Sequence, residues 1–137
     1  MVAAKADYTK AFRLLSDIPE QVAELHPSFY LPSSTELDQR WQAWLERWRK
    51  RITTNGNLAE TSAAMRRVNP AITWREWLIA PAYQRAEQGD NSLVLELQNL
   101  FSAPYSPPSA ELAARYDQLR PRQFFSSGGI SHYSCSS

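Results

Sequence analysis

Ser34–Ile52 reads STELDQRWQAWLERWRKRI, and the placing of its apolar residues decides the fold. With successive residues turning by about 100° around a helix axis, Leu37, Trp41, Trp44, Leu45, Trp48 and Ile52 fall within an arc of about 100°. A two-residue alternation puts them on no common face. Gln39, Gln42 and Glu46 take the other side, so the stretch predicts an amphipathic helix with its tryptophans turned into a core. Ser33 and Glu36 have the form of a capping box, which sets the start near Ser34, and TNGN at 54–57 stops the helix.

The same grammar extends outward in both directions. Asp7 stands where an N-cap would precede YTKAFRLL, a helix offering Tyr8, Phe12 and Leu15 to the core. Asn57 and Glu60 open LAETSAAMRRV, which Asn69-Pro70 ends because the residue before proline is driven out of the α region. Thr73 and Glu76 form a second capping box before WREWLIAPAYQRAEQ, where Pro81 removes a backbone donor and predicts a kink. In SLVLELQNLF, Leu93, Val94, Leu97, Leu100 and Phe101 suit a helix, with Asp90 as its cap. SAPYSPPS is an extended, proline-set loop, and Ser109 caps a short helix in SAELAARYDQL. After Pro121 the serines and glycines of RQFFSSGGISHYSCSS predict little regular structure, with Phe124, Phe125 and Tyr133 available to dock on a surface. The expected architecture is all-α: six or seven helices in an irregular bundle over residues 1–121, and a flexible tail at 122–137.

Composition narrows the functions. A chain of 137 residues suits one domain and one core, and 43% hydrophobic with 21% charged residues fits an ordinary globular protein. The formal net charge of +1 carries none of the basic surplus of a nucleic-acid binder, so no nucleic-acid partner is expected. No apolar run approaches the ~18–20 residues that cross a bilayer, so no membrane partner is expected either. The amino-terminal MVAAKADYTKAFRLL lacks a secretory apolar core. A single cysteine, Cys135, excludes an internal disulfide and fits a reducing, cytoplasmic setting.

Sites of chemistry are scarce. One cysteine and two histidines, His26 and His132, fall short of the about four ligands of a structural zinc site, so no metal site is expected. His132 lies three residues before Cys135, where an imidazolium would favour a thiolate, but a terminal tail supplies no fixed pocket or oxyanion site for a thiol enzyme. Gly56, Gly89 and Gly128–Gly129 match no phosphate-cradling loop, so no nucleotide cofactor is expected on this chain. Glu36, Glu46, Glu60, Glu76 and Glu87 are explained as caps and solvated ion pairs. Arg40, Arg47, Arg49 and Arg51 beside the tryptophans raise the idea of base stacking, against which burial is the stronger reading. Arg66 and Arg67 either satisfy the end of their helix or bind acidic groups of a neighbouring domain.

In order along the chain, DYTKAFRLL, MRRVNPA, the alanine and GD of AYQRAEQGD, SAPYSPP and the terminal SCSS resemble the carboxyl-terminal portion of the selenoprotein O family. The resemblance covers nearly the whole chain, and its most telling pieces are RRVNP and a cysteine three residues from the end, where some relatives carry selenocysteine. It implies a part of a larger, kinase-like pseudokinase that uses ATP and Mg or Mn to transfer AMP to Ser, Thr or Tyr of protein substrates. A UMP-transferring activity is also attributed to bacterial relatives. The family's nucleotide- and metal-binding residues lie upstream of everything present here, so no catalytic residue carries over. Cys135 alone matches a functional position, implying redox control, with a bond to the missing core as one route. Two departures stand out. Ser134 replaces the second cysteine of some relatives, and TWREWLIAPAY departs from the family's IPRNHLVEEA pattern.

The expectation is therefore a helical, structural and regulatory part of a protein nucleotidyltransferase, inactive alone, whose partner is an amino-terminal kinase-like core. Two other classes stay open. A free-standing interaction module would use the tryptophan face or another apolar patch; a thiol enzyme would need a lowered Cys135 pKa.

Overall fold

The computed structural model describes residues 5–54 and 56–125, save the side chains of Gln123 and Phe125. Six α-helices are found there: α1 (Tyr8–Leu15), α2 (Thr35–Thr54), α3 (Leu58–Val68), α4 (Glu76–Glu87), α5 (Ser92–Ser102) and α6 (Ala110–Tyr116). Short 3-10 segments run over Val22–Ser28 and Arg122–Phe125. The only pairing of extended backbone among these residues is an isolated bridge between Ala6 and Phe29. The fold is all-α.

Helix starts follow local hydrogen-bond chemistry. Asp7 accepts the Lys10 N–H at 2.9 Å and the Tyr30 hydroxyl at 3.0 Å, so α1 begins where the sequence places it. Asn57 accepts the Ala59 N–H at 2.8 Å to open α3, and Ser109 accepts that of Leu112 at 3.3 Å to open α6. Three expected caps shift. In α2 the Leu37 N–H goes to Ser34, at 3.2 Å, and not to Ser33. The α4 start falls at Arg75, without a side-chain cap, so the Thr73 box is not formed. At α5, Asp90 accepts the Ser92 N–H at 3.0 Å, but the residue at the cap position is Asn91. Side-chain spacing names a cap only to within a residue or two, because an Asx or Ser oxygen reaches more than one N–H of the first turn.

The described residues divide into two compact units, one up to Ala71 and one from Ile72, each with its own apolar cluster. This replaces the single core expected from length. In the first unit Leu15, Leu25, Phe29 and Leu45 are buried, Leu45 completely. Tyr8, expected in that core, is 69% exposed and instead lies against the Phe12 ring, 4.5 Å between centroids. An eight-residue helix has one narrow buried stripe, and Ala11 and Leu15 fill it. In the second unit Ile72, Leu78, Ala82, Leu97 and Tyr116 are buried, with Trp77 and Phe101 packed beside them. The proline-set loop is tied in there by the Ile72 N–H donating to the Pro104 carbonyl at 3.3 Å.

The 3-10 segment Val22–Ser28 went unread in the sequence, yet it supplies Leu25 to the first core. Its start is set by Glu24, whose carboxylate accepts the N–H groups of Gln21 and Glu20, each at 2.8 Å. Those two bonds, Gln21 first, hold the Glu24 carboxyl below its ordinary value. Pro27 limits the segment to a short tight helix.

Candidate functional site

The residues that carry the family resemblance within the first unit meet at the carboxyl ends of α1 and α3. Arg13 of α1 donates to the Asn69 carbonyl at 3.0 Å and to the Arg66 carbonyl at 3.3 Å, taking acceptors that α3 leaves open at its end. Asn69 donates to the Ser16 hydroxyl at 3.0 Å, and Ser62 donates to the Ser16 carbonyl at 2.6 Å. Arg66 closes the set on Asp17 with two bonds, at 2.5 and 3.0 Å. Of the two arginines considered for an acidic neighbour, Arg66 is thus engaged within its own unit. Arg67 is exposed and makes no hydrogen bond or ion pair among the described residues. The arrangement is a polar clasp between two helices, with no nucleophile poised beside a base.

On α2 the expected helix face is present, but its depth differs from the expectation. Leu45 alone is buried, while Trp41, Trp44 and Trp48 are half-buried. Phe29 and Trp41 lie 5.4 Å apart, Trp41 meets Trp44 edge-on at 5.5 Å, and Trp44 stacks on Trp48 at 6.0 Å with an interplanar angle of 11°. These rings form one wall of a cavity of about 790 Å³ whose lining includes Leu15, Leu25, Leu37 and Met65. Arg40 and Arg47, one on each side of Trp44 along α2, reach the same cavity. A hundred-degree apolar stripe on a twenty-residue helix is broader than α1 and the 3-10 segment cover, so part of it stays open as a groove.

Other polar residues of α2 have structural work. Arg49 donates to the carbonyls of Ile18, at 2.5 Å, and Pro19, at 3.1 Å, and pairs with Glu20 at 2.8 Å. Gln42, placed by the sequence on the solvated side, accepts the Val22 N–H at 2.9 Å and donates to the Glu20 carbonyl at 3.0 Å. Neither role had a signal in the sequence, because the partners lie about 20–30 residues away, in the turn over 18–20 and at the first residue of the 3-10 segment. His26 pairs with Asp38 at 2.9 Å. Among the described residues no group of three or more His, Cys, Asp or Glu converges as a metal would require. No helix there is long and apolar enough to cross a membrane. Cys135, expected from the resemblance to be a redox position, lies with His132, Tyr133 and the glycine pair outside the described residues.

In the second unit, Arg115 pairs with Glu96 at 2.6 Å, lies over the Tyr116 ring at 4.8 Å from its centroid, and donates to the Tyr116 hydroxyl at 2.8 Å. Burial, with the Glu96 carboxylate next in weight, pushes the Tyr116 phenol above its ordinary value. The exposed Trp74, 65% accessible, belongs to neither cluster.

Comparison with known proteins gives the groove and the clasp their context. The chain is 34% identical over 116 residues to a protein nucleotidyltransferase YdiU of Salmonella schwarzengrund, covering 84% of this chain and 23% of that protein. Proteins of the same name from Salmonella heidelberg and Salmonella typhi are 34% identical over 119 residues, with the same coverage. The chain thus spans about a quarter of the length of the curated relatives it matches. No family model matches it, and no solved structure does.

Proposed function

The chain belongs to the selenoprotein O family, in which these relatives fall, and from that premise we propose that it serves as a helical, structural part of a protein nucleotidyltransferase. The observation that carries this reading is the 34% identity spread over 84% of the chain, with the matched length only 23% of the relative. Its missing partner is the remaining polypeptide, for which the family resemblance implies a kinase-like core using ATP and a divalent ion, Mg or Mn. What that core transfers is AMP, with UMP as the variant to be tested, to hydroxyls of protein substrates.

Physical support comes from what the described residues do. The clasp on Ser16 and Asn69 and the Arg49 contacts are internal braces, and the carboxylates serve as caps and ion pairs. Transfer of a nucleotidyl group asks for cations and a metal around a triphosphate and a base near the acceptor hydroxyl. This chain contributes instead a preformed platform. Cys135 is its regulatory element: its thiolate, attacking one sulfur of a disulfide in the core, would form a mixed disulfide between the two parts while the old S–S bond breaks and the other core sulfur leaves as thiolate, whose return attack reverses the link.

The test is a chimera in which this chain replaces the matched segment of the Salmonella schwarzengrund relative. Labelled ATP and UTP, a divalent ion and a mixed protein acceptor then report transfer. The chimera is expected to retain transfer, and the 137-residue protein alone to show none. Turnover by the isolated chain, or a chimera that folds without activity, would overturn the reading. Cys135→Ser in the active chimera should abolish any oxidant sensitivity and leave the reduced rate unchanged.

A further inference from the structure

We propose that the tryptophan groove of the first unit is a docking site for an apolar helix face flanked by carboxylates, supplied by the part of the family polypeptide that this chain does not span. The proposal rests on the function proposed above and adds to it the surface of engagement and the chemistry of the segment engaged.

Three observations carry it. The cavity of about 790 Å³ is walled by half-buried indoles and by leucine and methionine side chains, the lining expected where a helix lays its apolar face into a groove. Arg40 and Arg47 line it, are exposed, and make no hydrogen bond or ion pair among the described residues. Seven residues apart on one helix, they stand about 10 Å apart along its axis, two turns, which matches carboxylates spaced two turns apart on a partner helix. Among the described residues no acidic side chain lines the cavity, so a carboxylate-flanked occupant meets complementary charge and a lysine-flanked one meets repulsion. Finally, the chain spans 23% of the length of its relatives, which leaves roughly three-quarters of such a polypeptide to provide the occupant.

A single-stranded nucleic acid fits less well. Trp44 and Trp48 already turn their ring faces toward one another, whereas base stacking needs free faces along a basic groove. Arg49, the third arginine of that stretch, is committed to the Ile18 and Pro19 carbonyls.

The experiment uses the intact 137-residue protein. Overlapping 20-residue peptides covering the unmatched part of the Salmonella schwarzengrund relative are labelled and titrated with it by fluorescence anisotropy, alongside a 20-residue oligo-dT and sedimentation of the protein alone. Binding should concentrate on peptides with an apolar helical face bordered by Asp or Glu, and should shift the indole emission to the blue. The double variant Arg40→Glu, Arg47→Glu should weaken that binding at least tenfold while leaving circular dichroism and Tm unchanged, since both side chains are exposed. Trp44→Ala should weaken it comparably. The proposal is overturned by the absence of any binding peptide, by affinity indifferent to the arginine reversals, by tighter binding of oligo-dT, or by self-association that Trp44→Ala abolishes. Peptide binding with an inactive chimera would retain the groove and reject the proposed function. An active chimera with no binding peptide would do the reverse.

Discussion

Ile18 carries a φ of 53°, in the left-handed region that a β-branched side chain rarely enters, directly before the buried Pro19. Such a residue persists only where surroundings over-determine it, at a cost of about 1–3 kcal/mol. Arg49 provides that restraint by holding the Ile18 and Pro19 carbonyls, one on each side of the Pro19 ring. Arg49→Ala is expected to lower stability by about 1.5–3 kcal/mol, the range for hydrogen bonds to a charged donor, in a urea unfolding series. Arg49→Lys should recover only part of it, because an ammonium lacks the planar fork that spans two carbonyls. The Glu20 pair adds little, since that carboxylate is 75% exposed. Tyr116 allows a pH prediction. Its folded pKa is raised above the ordinary phenol value, so its neutral form is favoured by folding. The associated stability is complete below the unfolded pKa of about 10 and is lost as pH rises through the higher folded value. Spectrophotometric titration should find one phenol ionising late, absent in Tyr116→Phe. The variant should also show a shallower loss of stability on the alkaline side. No late-titrating phenol, or an unaltered alkaline slope, would contradict this.

Helices were legible where a cap and a periodic face coincide, as at Asp7, Asn57 and Ser109, and less so where only one signal exists. The Thr73–Glu76 pair has the spacing of a capping box but α4 begins at Glu76 after an uncapped Arg75, because packing of Leu78 and Ala82 sets the phase of that helix. The Val22–Ser28 segment was invisible to periodicity, being too short for a 3.6-residue pattern and interrupted by Pro27. For the groove, the sequence showed which α2 residues share a face but not how much of it neighbours would cover. That depends on α1 and the 3-10 segment, which come from elsewhere in the chain. Asp7 tests the value of a cap that has a second task. It serves the Lys10 N–H and the Tyr30 hydroxyl while buried, so Asp7→Ala removes both the cap and the acceptor of that hydroxyl. The expected loss is about 2 kcal/mol, at the upper end for a cap, with reduced helicity in α1. Ser109→Ala, at an exposed cap, should cost about 1 kcal/mol or less. Equal losses for the two would show that the Tyr30 bond contributes nothing.

At the scale of the molecule, the clustering of the core explains why a family likeness was readable while the chemistry was not. RRVNP is distinctive because Arg66 and Asn69 must reach Asp17 and Ser16 across the chain, a demand of folding that leaves a mark in sequence. The position implied to be functional, Cys135, was legible only through the resemblance. Two apolar clusters, one built on Leu45 and one on Leu97, take the place of a single core, and this sets the last prediction. Leu45 is wholly buried beneath the tryptophan wall, so Leu45→Ala leaves a void and should cost about 2–5 kcal/mol. Leu97→Ala should cost a similar amount from the other cluster. In native-state hydrogen exchange the first variant should lose protection chiefly in α1, α2 and α3, and the second in α4, α5 and α6. Peptide binding to the groove should fall with Leu45→Ala and persist with Leu97→Ala under conditions where both remain folded. Protection lost evenly along the chain in either variant would mean that one cooperative core governs it, and the first unit could not then be treated as a platform of its own.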